Sequence, residues 1–173
     1  MKTSKPIEVG LSLGSNLGNR LENLQDARNS ISMLDGLRIV SSSPVYETEP
    51  VDVPERFAEK SFLNAVLIVE CSVPLSELHG KLRKIEADMG RLRKAERNSP
   101  RPVDIDIIYA GNHQVQTPEL HIPHPRWSER RFVVQPLACL RPDLKLPGSS
   151  ETVSEVLAHL PAKPNAVLLD ERW

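Results

Sequence analysis

From Ile7 to Tyr109 the apolar spacing switches repeatedly between a period of two and a period near 3.6, and the order of the switches leaves few folds open. Ile7, Val9, Leu11 and Leu13 alternate with Glu8, Gly10 and Ser12, the pattern of a strand. Residues 14–19 break it, and Asn19 is placed to cap a helix whose apolar positions are Leu21, Leu24, Ala27, Ile31 and Leu34. Asp35-Gly36 ends that helix, and residues 37–48, rich in β-branched side chains and serine, are expected to be extended. Pro50 and Pro54 mark residues 49–61 as a long loop, a length that is often functional. Phe62 to Cys71 is the clearest buried strand. Pro74 then opens a helix, with Ser72 nearby as a cap and a stripe of Leu75, Leu78, Leu82, Ile85 and Met89 in steps of 3, 4, 3 and 4. Gly90 stands where a C-cap belongs.

Residues 91–102 form a basic, proline-containing loop, and residues 103–109 alternate again, with Val103, Ile105, Ile107 and Tyr109 expected to face the core. A turn at residues 110–112, a short strand over 113–117, and short helices over 132–140 and 152–160 complete the reading. The order strand, helix, strand, strand, helix, strand predicts an α+β chain with a ferredoxin-like βαββαβ core. Its antiparallel sheet carries both helices on one face, and C-terminal additions follow. At 173 residues with 39% apolar content, a single domain over 1–173 is expected. No apolar run approaches the ~20 residues of a membrane span. Cys71 and Cys139 have no framework spacing, so a reduced, cytoplasmic protein is expected.

The formal net charge of −1 argues against bulk nucleic-acid binding. Residues 81–101, however, hold eight basic and three acidic side chains, a local excess of +5 that leaves −6 for the remainder. Such a field in a near-neutral chain suits a compact anionic ligand. Lys81, Arg83 and Lys84 fit better as a solvated helix face.

Asp104 and Asp106 are two apart on an expected strand, so their side chains share a face with Cα atoms ~6.5 Å apart. Paired carboxylates are costly unless a cation lies between them, and Mg²⁺ commonly combines one or two carboxylates with substrate phosphates. Arg91, Arg93 and Arg101 bring guanidinium forks to the same end of that strand. Carboxylates for metal and arginines for phosphate are the parts phosphoryl transfer needs. A surface salt-bridge network would use the same residues. There is no GxxxxGK[ST] loop and no protein-kinase signature. His124, between Pro123 and Pro125, could reach a phosphate, and Phe62 with Asn64 suits a flat heterocycle, although a lone histidine is usually structural and spacing alone favours an ordinary core phenylalanine and a turn-type asparagine.

Taken in order, residues 13–18, 45–48, 62–66, 90–93, 100–107 and 122–125, with Arg130 and Phe132, resemble the 6-hydroxymethyl-7,8-dihydropterin pyrophosphokinases. The resemblance spans about residues 9–144. It implies a ferredoxin-like fold and transfer of pyrophosphate from MgATP to the hydroxymethyl group of a dihydropterin, giving AMP, in folate biosynthesis. Asp104 and Asp106 match the ligands of two Mg²⁺ ions, and Arg91 and Arg93 the catalytic-loop arginines. Glu86, Arg101, His124 and Arg130 match nucleotide-side residues. Phe62 and Phe132 match the rings that sandwich the pterin, with Asn64 and the Thr48 backbone at its edge. The partners so implied are small molecules, with no nucleic acid and no membrane, and a monomer is expected. Asn98-Ser99 departs from the family's usual Trp-Gly, and Pro102 from its usual Thr. The tryptophan packs near the pterin in the closed state, so the departure bears on lid closure.

Overall fold

A computed structural model describes residues 5–48, 61–90, 102–162 and 166–173. In chain order its elements are β1 (Ile7–Ser15), α1 (Arg20–Ser32), β2 (Leu37–Ser42), β3 (Val45–Thr48), β4 (Phe62–Cys71), α2 (Leu75–Asp88) and β5 (Asp104–Ala110). There follow β6 (Val115–Gln116), β7 (His121–Ile122), a 3₁₀ turn, α3 (Arg131–Leu140), α4 (Val153–His159) and β8 (Ala166–Asp170).

β1 pairs with β5 on one side and β4 on the other, and the far edge of β4 is shared by β2 and β3, all antiparallel. This is the expected ferredoxin-like connectivity, with one refinement. The extended stretch 37–48 divides at Ser43-Pro44. Pro44 cannot donate to a ladder, and Ser43 repairs the break. Its N–H donates to the Val66 carbonyl at 2.8 Å, and its hydroxyl oxygen accepts the Val66 N–H at 2.8 Å. Trp173 closes over the same point, donating its indole N–H to the Ser43 carbonyl at 2.7 Å.

Alternation along β4 creates two cores. Leu63, Ala65, Leu67, Val69 and Cys71 face α1 and α2, where Leu24, Ala27, Ile31, Leu78, Leu82 and Ile85 meet them. Val66 and Ile68 face the other way, under α3, α4 and Trp127. Both helices of the βαββαβ unit therefore share one face, and the C-terminal additions cover part of the opposite one. Asn19 caps α1 as expected, its side chain accepting the Glu22 N–H. Ser72 does not cap α2; its hydroxyl donates to the Gly36 carbonyl, and Pro74 holds the cap position.

Tyr109 departs from its expected side. Register shifts between Gly10 and Leu11, whose partners are Tyr109 and Ile107, so Ile108 is an inserted bulge residue. The bulge turns Tyr109 away from Ile107 and into the second core, against Gly10. A Cβ on Gly10 would lie 2.4 Å from the Tyr109 ring, so glycine is required there. The phenol donates to Glu8 at 2.6 Å, and Arg141 grips the same carboxylate at 3.0 Å, which holds Glu8 below the usual carboxylate range. β8, which the sequence analysis did not anticipate, adds to β3 as an edge strand with Val167, Leu168 and Leu169 exposed. Among the described residues no helix is long and apolar enough to cross a membrane.

Candidate active site

Among the described residues, the candidates carried by the sheet, Thr48, Phe62, Asn64, Asp104 and Asp106, collect at one end, where β1 and β3 finish and β4 and β5 begin. Sheet register arranges them in rows. Asn64 of β4 pairs with Gly14 of β1, and Gly14 pairs with Asp104 of β5. In the next row Val66 pairs with Ser12, and Ser12 with Asp106. The flanking Leu13, Leu63 and Ile105 point into the α1/α2 core. Asn64, Gly14, Asp104 and Asp106 therefore belong to the opposite face. Gly14 itself lies inside β1 rather than in the turn expected there.

On the β4 side, Asn64 is 3% exposed and donates its amide to the Thr48 hydroxyl at 2.6 Å. The Thr48 main chain sits in the sheet between Phe62 and Ala166. A Cβ built on Gly14 would approach Asn64 Oδ1 to 3.0 Å and Phe62 to 3.7 Å. Gly14 is itself buried, and the lack of a side chain there leaves room beside the Phe62 ring and the Asn64 amide.

On the β5 side, Asp104 and Asp106 are both half-buried while Ile105 between them is fully buried, as strand alternation requires. The edge of β5 away from β1 is closed by α2. Glu86, only 2% exposed, accepts the Ile105 N–H at 2.7 Å through one carboxylate oxygen. Its other oxygen takes the Arg83 guanidinium at 2.8 Å. Arg83 also donates to the Ile105 carbonyl and lies 3.6 Å from Asp106 Oδ1. Arg83 is therefore no solvated helix residue, contrary to the sequence reading. Its i,i+3 spacing to Glu86 is the signal that could have revealed the pair.

His124 is fixed beside β5, its N–H donating to the Ile108 carbonyl at 2.8 Å. Its Nδ1 accepts the Arg126 N–H at 3.1 Å, which leaves the proton of the neutral ring on Nε2. Burial, reinforced by Arg130 and opposed by Asp104, pushes its pKa down to about 4. The ring is accordingly a neutral Nε2–H donor near pH 7. Arg130 lies with its guanidinium 5.6 Å from the centre of the Phe132 ring. Arg91, Arg93 and Arg101, with Asn98 and Ser99, lie outside the described residues.

The donor set can be tested against a metal. Among the described residues no group of three His, Cys, Asp or Glu side chains forms a cage. Two half-buried carboxylates on one strand face nonetheless fit Mg²⁺, which completes its shell with water and phosphate oxygens.

A protein of Pseudomonas aeruginosa, 2-amino-4-hydroxy-6-hydroxymethyldihydropteridine pyrophosphokinase, is 35% identical over 153 residues, 88% of this chain and 91% of that protein. Folic acid synthesis protein fol1 of Schizosaccharomyces pombe is 36% identical over 153 residues, 88% of this chain but 20% of its own length. A folate synthesis bifunctional protein of Arabidopsis thaliana is 39% identical over 140 residues, 81% of this chain and 28% of its own. The chain thus spans between a fifth and three tenths of these two longer relatives. Among solved structures, Plasmodium falciparum HPPK-DHPS superposes with a TM-score of 0.68 at 16% identity, over 91% of this chain and 42% of that one, a likeness of fold. The model of the 7,8-dihydro-6-hydroxymethylpterin-pyrophosphokinase family matches residues 10–142, and the chain belongs to that family.

Proposed function

We propose that this chain transfers pyrophosphate from MgATP to the hydroxymethyl group of 6-hydroxymethyl-7,8-dihydropterin, releasing AMP, as one domain that acts as a monomer in the cytoplasm. The observation that carries the reading is the row Asn64–Gly14–Asp104. Adjacent strands lie ~4.8 Å apart, so an amide for a heterocycle edge and a carboxylate for a metal stand ~10 Å from each other across a bare glycine. A pterin seated at Asn64 would extend its 6-substituent over that gap towards Asp104.

In this reading Phe62 and Phe132 stack on the two faces of the pterin, and Asn64 and Thr48 hold its edge. Arg91, Arg93, Arg101 and Arg130 take the triphosphate, joined by the Nε2–H of His124, which donates to a phosphate oxygen without adding charge. Glu86, with both oxygens already engaged, serves the nucleotide side by fixing Arg83 and β5. Asp104 and Asp106 hold two Mg²⁺ ions, which when bound neutralise phosphate charge. The pterin hydroxyl oxygen forms a bond to the β-phosphorus and gives up its proton, which passes to solvent water. The bond between the β-phosphorus and the oxygen bridging to the α-phosphate breaks, and AMP departs with that oxygen. Arg91 and Arg93 stabilise the charge that moves towards the α-phosphate. The product would feed dihydropteroate synthesis.

Support comes from the family match over residues 10–142 and from the name of the Pseudomonas relative, which is nearly the length of this chain. The test is nucleotide chromatography after incubation with MgATP, with and without the pterin. AMP that appears only with the pterin supports the assignment. ADP, or hydrolysis independent of the pterin, overturns it.

A further inference from the structure

Arg83 occupies an unusual position for a helix-surface arginine. Its guanidinium joins the buried Glu86 carboxylate at 2.8 Å, the Ile105 carbonyl, and Asp106 Oδ1 at 3.6 Å. Its Nε is buried and has no hydrogen-bond partner among the described residues. A stranded donor of this kind is unfavourable, so the group is held there by its charge partners and not by good local geometry. The two ion pairs differ. Glu86 is sealed, 2% exposed, whereas the Asp106 and Arg83 side chains are 36% and 37% exposed and separated by more than hydrogen-bond distance. The contact to Asp106 is the loose one, on the face where Asp104 also projects.

From this we infer that Arg83 is a positioning residue that acts as the resident counter-ion of Asp106, anchored through Glu86, and weakens the affinity of the Asp104/Asp106 pair for divalent cations in the nucleotide-free chain. The inference rests on the metal-binding role proposed for those aspartates. A cation that bonds to Asp106 lies within a few ångströms of the fixed guanidinium, which Glu86 prevents from retreating. Like-charge repulsion over about 5 Å, even in a water-like dielectric, changes the affinity for a divalent ion by about fivefold or more. The arrangement sets a fixed positive charge beside Asp106 before nucleotide arrives, and it makes tight metal binding depend on the negative charge that a triphosphate contributes.

The probe is Mn²⁺ alone, followed by electron paramagnetic resonance of the free ion, with the intact chain and no nucleotide. Arg83→Gln is expected to bind Mn²⁺ about fivefold or more tightly than wild type, a gap that narrows as ionic strength rises. Arg83→Lys, which keeps the charge, should stay within about twofold of wild type. Equal or weaker binding by Arg83→Gln overturns the inference and leaves the metal site standing, provided Asp106→Asn abolishes binding in the wild-type background. Should wild type bind no Mn²⁺ at millimolar concentration, both the site and the inference fall. If Arg83→Gln folds poorly because Glu86 is left buried without its partner, the comparison moves to the Glu86→Gln background, where adding Arg83→Gln is expected to tighten Mn²⁺ binding about fivefold or more over Glu86→Gln alone, and no tightening overturns the inference.

Discussion

Asn64 and Asp104 lie in one register row of the sheet, with only Gly14 between them. A Cβ at that point would come to 3.0 Å from the Asn64 amide oxygen, tighter than ordinary packing, and into ordinary contact with Phe62 at 3.7 Å. Gly14→Ala is therefore expected to raise KM for the pterin about tenfold or more while leaving the Kd for MgATP within about twofold. Steady-state kinetics with nucleotide titration would check this. Equal losses for both substrates would show that Gly14 serves the fold and not the gap between the two groups.

Asp106→Ala is expected to lose turnover by several orders of magnitude with an unchanged far-ultraviolet circular dichroism spectrum, because phosphoryl transfer depends on charge neutralisation at the phosphates. Wild-type-like turnover in that variant would remove the metal site from the proposed mechanism.

Glu86 has a structural task that is separable from chemistry. It satisfies the Ile105 N–H on the edge of β5 that α2 covers, and pairs with Arg83. Glu86→Ala strands both, and hydrogen bonds to a charged group are worth about 1.5–3 kcal/mol each before solvent screening of the half-exposed Arg83 is allowed for. A loss of about 2–3 kcal/mol in urea unfolding is expected, with a smaller loss for Glu86→Gln, whose amide oxygen still accepts. Unchanged stability in the alanine variant would mean that β5 is positioned by its pairing with β1 alone.

The pH dependence of stability follows from His124, whose pKa falls from an ordinary 6.5 to about 4 in the folded chain. Between those values the unfolded chain binds the additional proton, so stability is fully present above pH ~6.5 and declines as the pH falls through this window. Glu8, held below its usual value by Arg141, acts in the same direction at the acid end. His124→Gln should flatten the decline between pH ~6.5 and 4.5 in urea midpoints, leaving the Glu8 contribution below it. An unaltered slope would show that the imidazole is more freely protonated than its buried setting indicates.

Ser43→Ala offers a test of the divided strand. The hydroxyl that accepts the Val66 N–H is fully buried, so its removal orphans a buried donor at a cost of about 1–3 kcal/mol. Chemical denaturation should register that loss with pterin and nucleotide affinities preserved. A neutral result would mean that the main chain re-pairs across Pro44.

What was legible in the sequence was whatever local periodicity controls. Leu24, Ala27 and Ile31, and Leu78, Leu82 and Ile85, declared two one-sided helices, and both are buried on those sides. Asp104 and Asp106 were readable as neighbours on one face, since a strand repeats every two residues. The motif series, taken in order, was enough to imply the family. Tertiary structure decided the rest, because each remaining feature depends on residues distant in sequence. Tyr109 faces the second core because a bulge opposite Gly10 changes the alternation, which the pattern of β5 alone does not encode. β8 is a strand only because β3 offers it an edge; its exposed Val167, Leu168 and Leu169 show no one-sided burial to betray it. Arg83 looked like one more cation on a basic helix; its i,i+3 partner Glu86 was within reach of the sequence, but only the fold set the pair against Ile105 and Asp106 on the neighbouring strand. Periodicity specifies which face a side chain takes, whereas the partner it meets there is set by long-range packing.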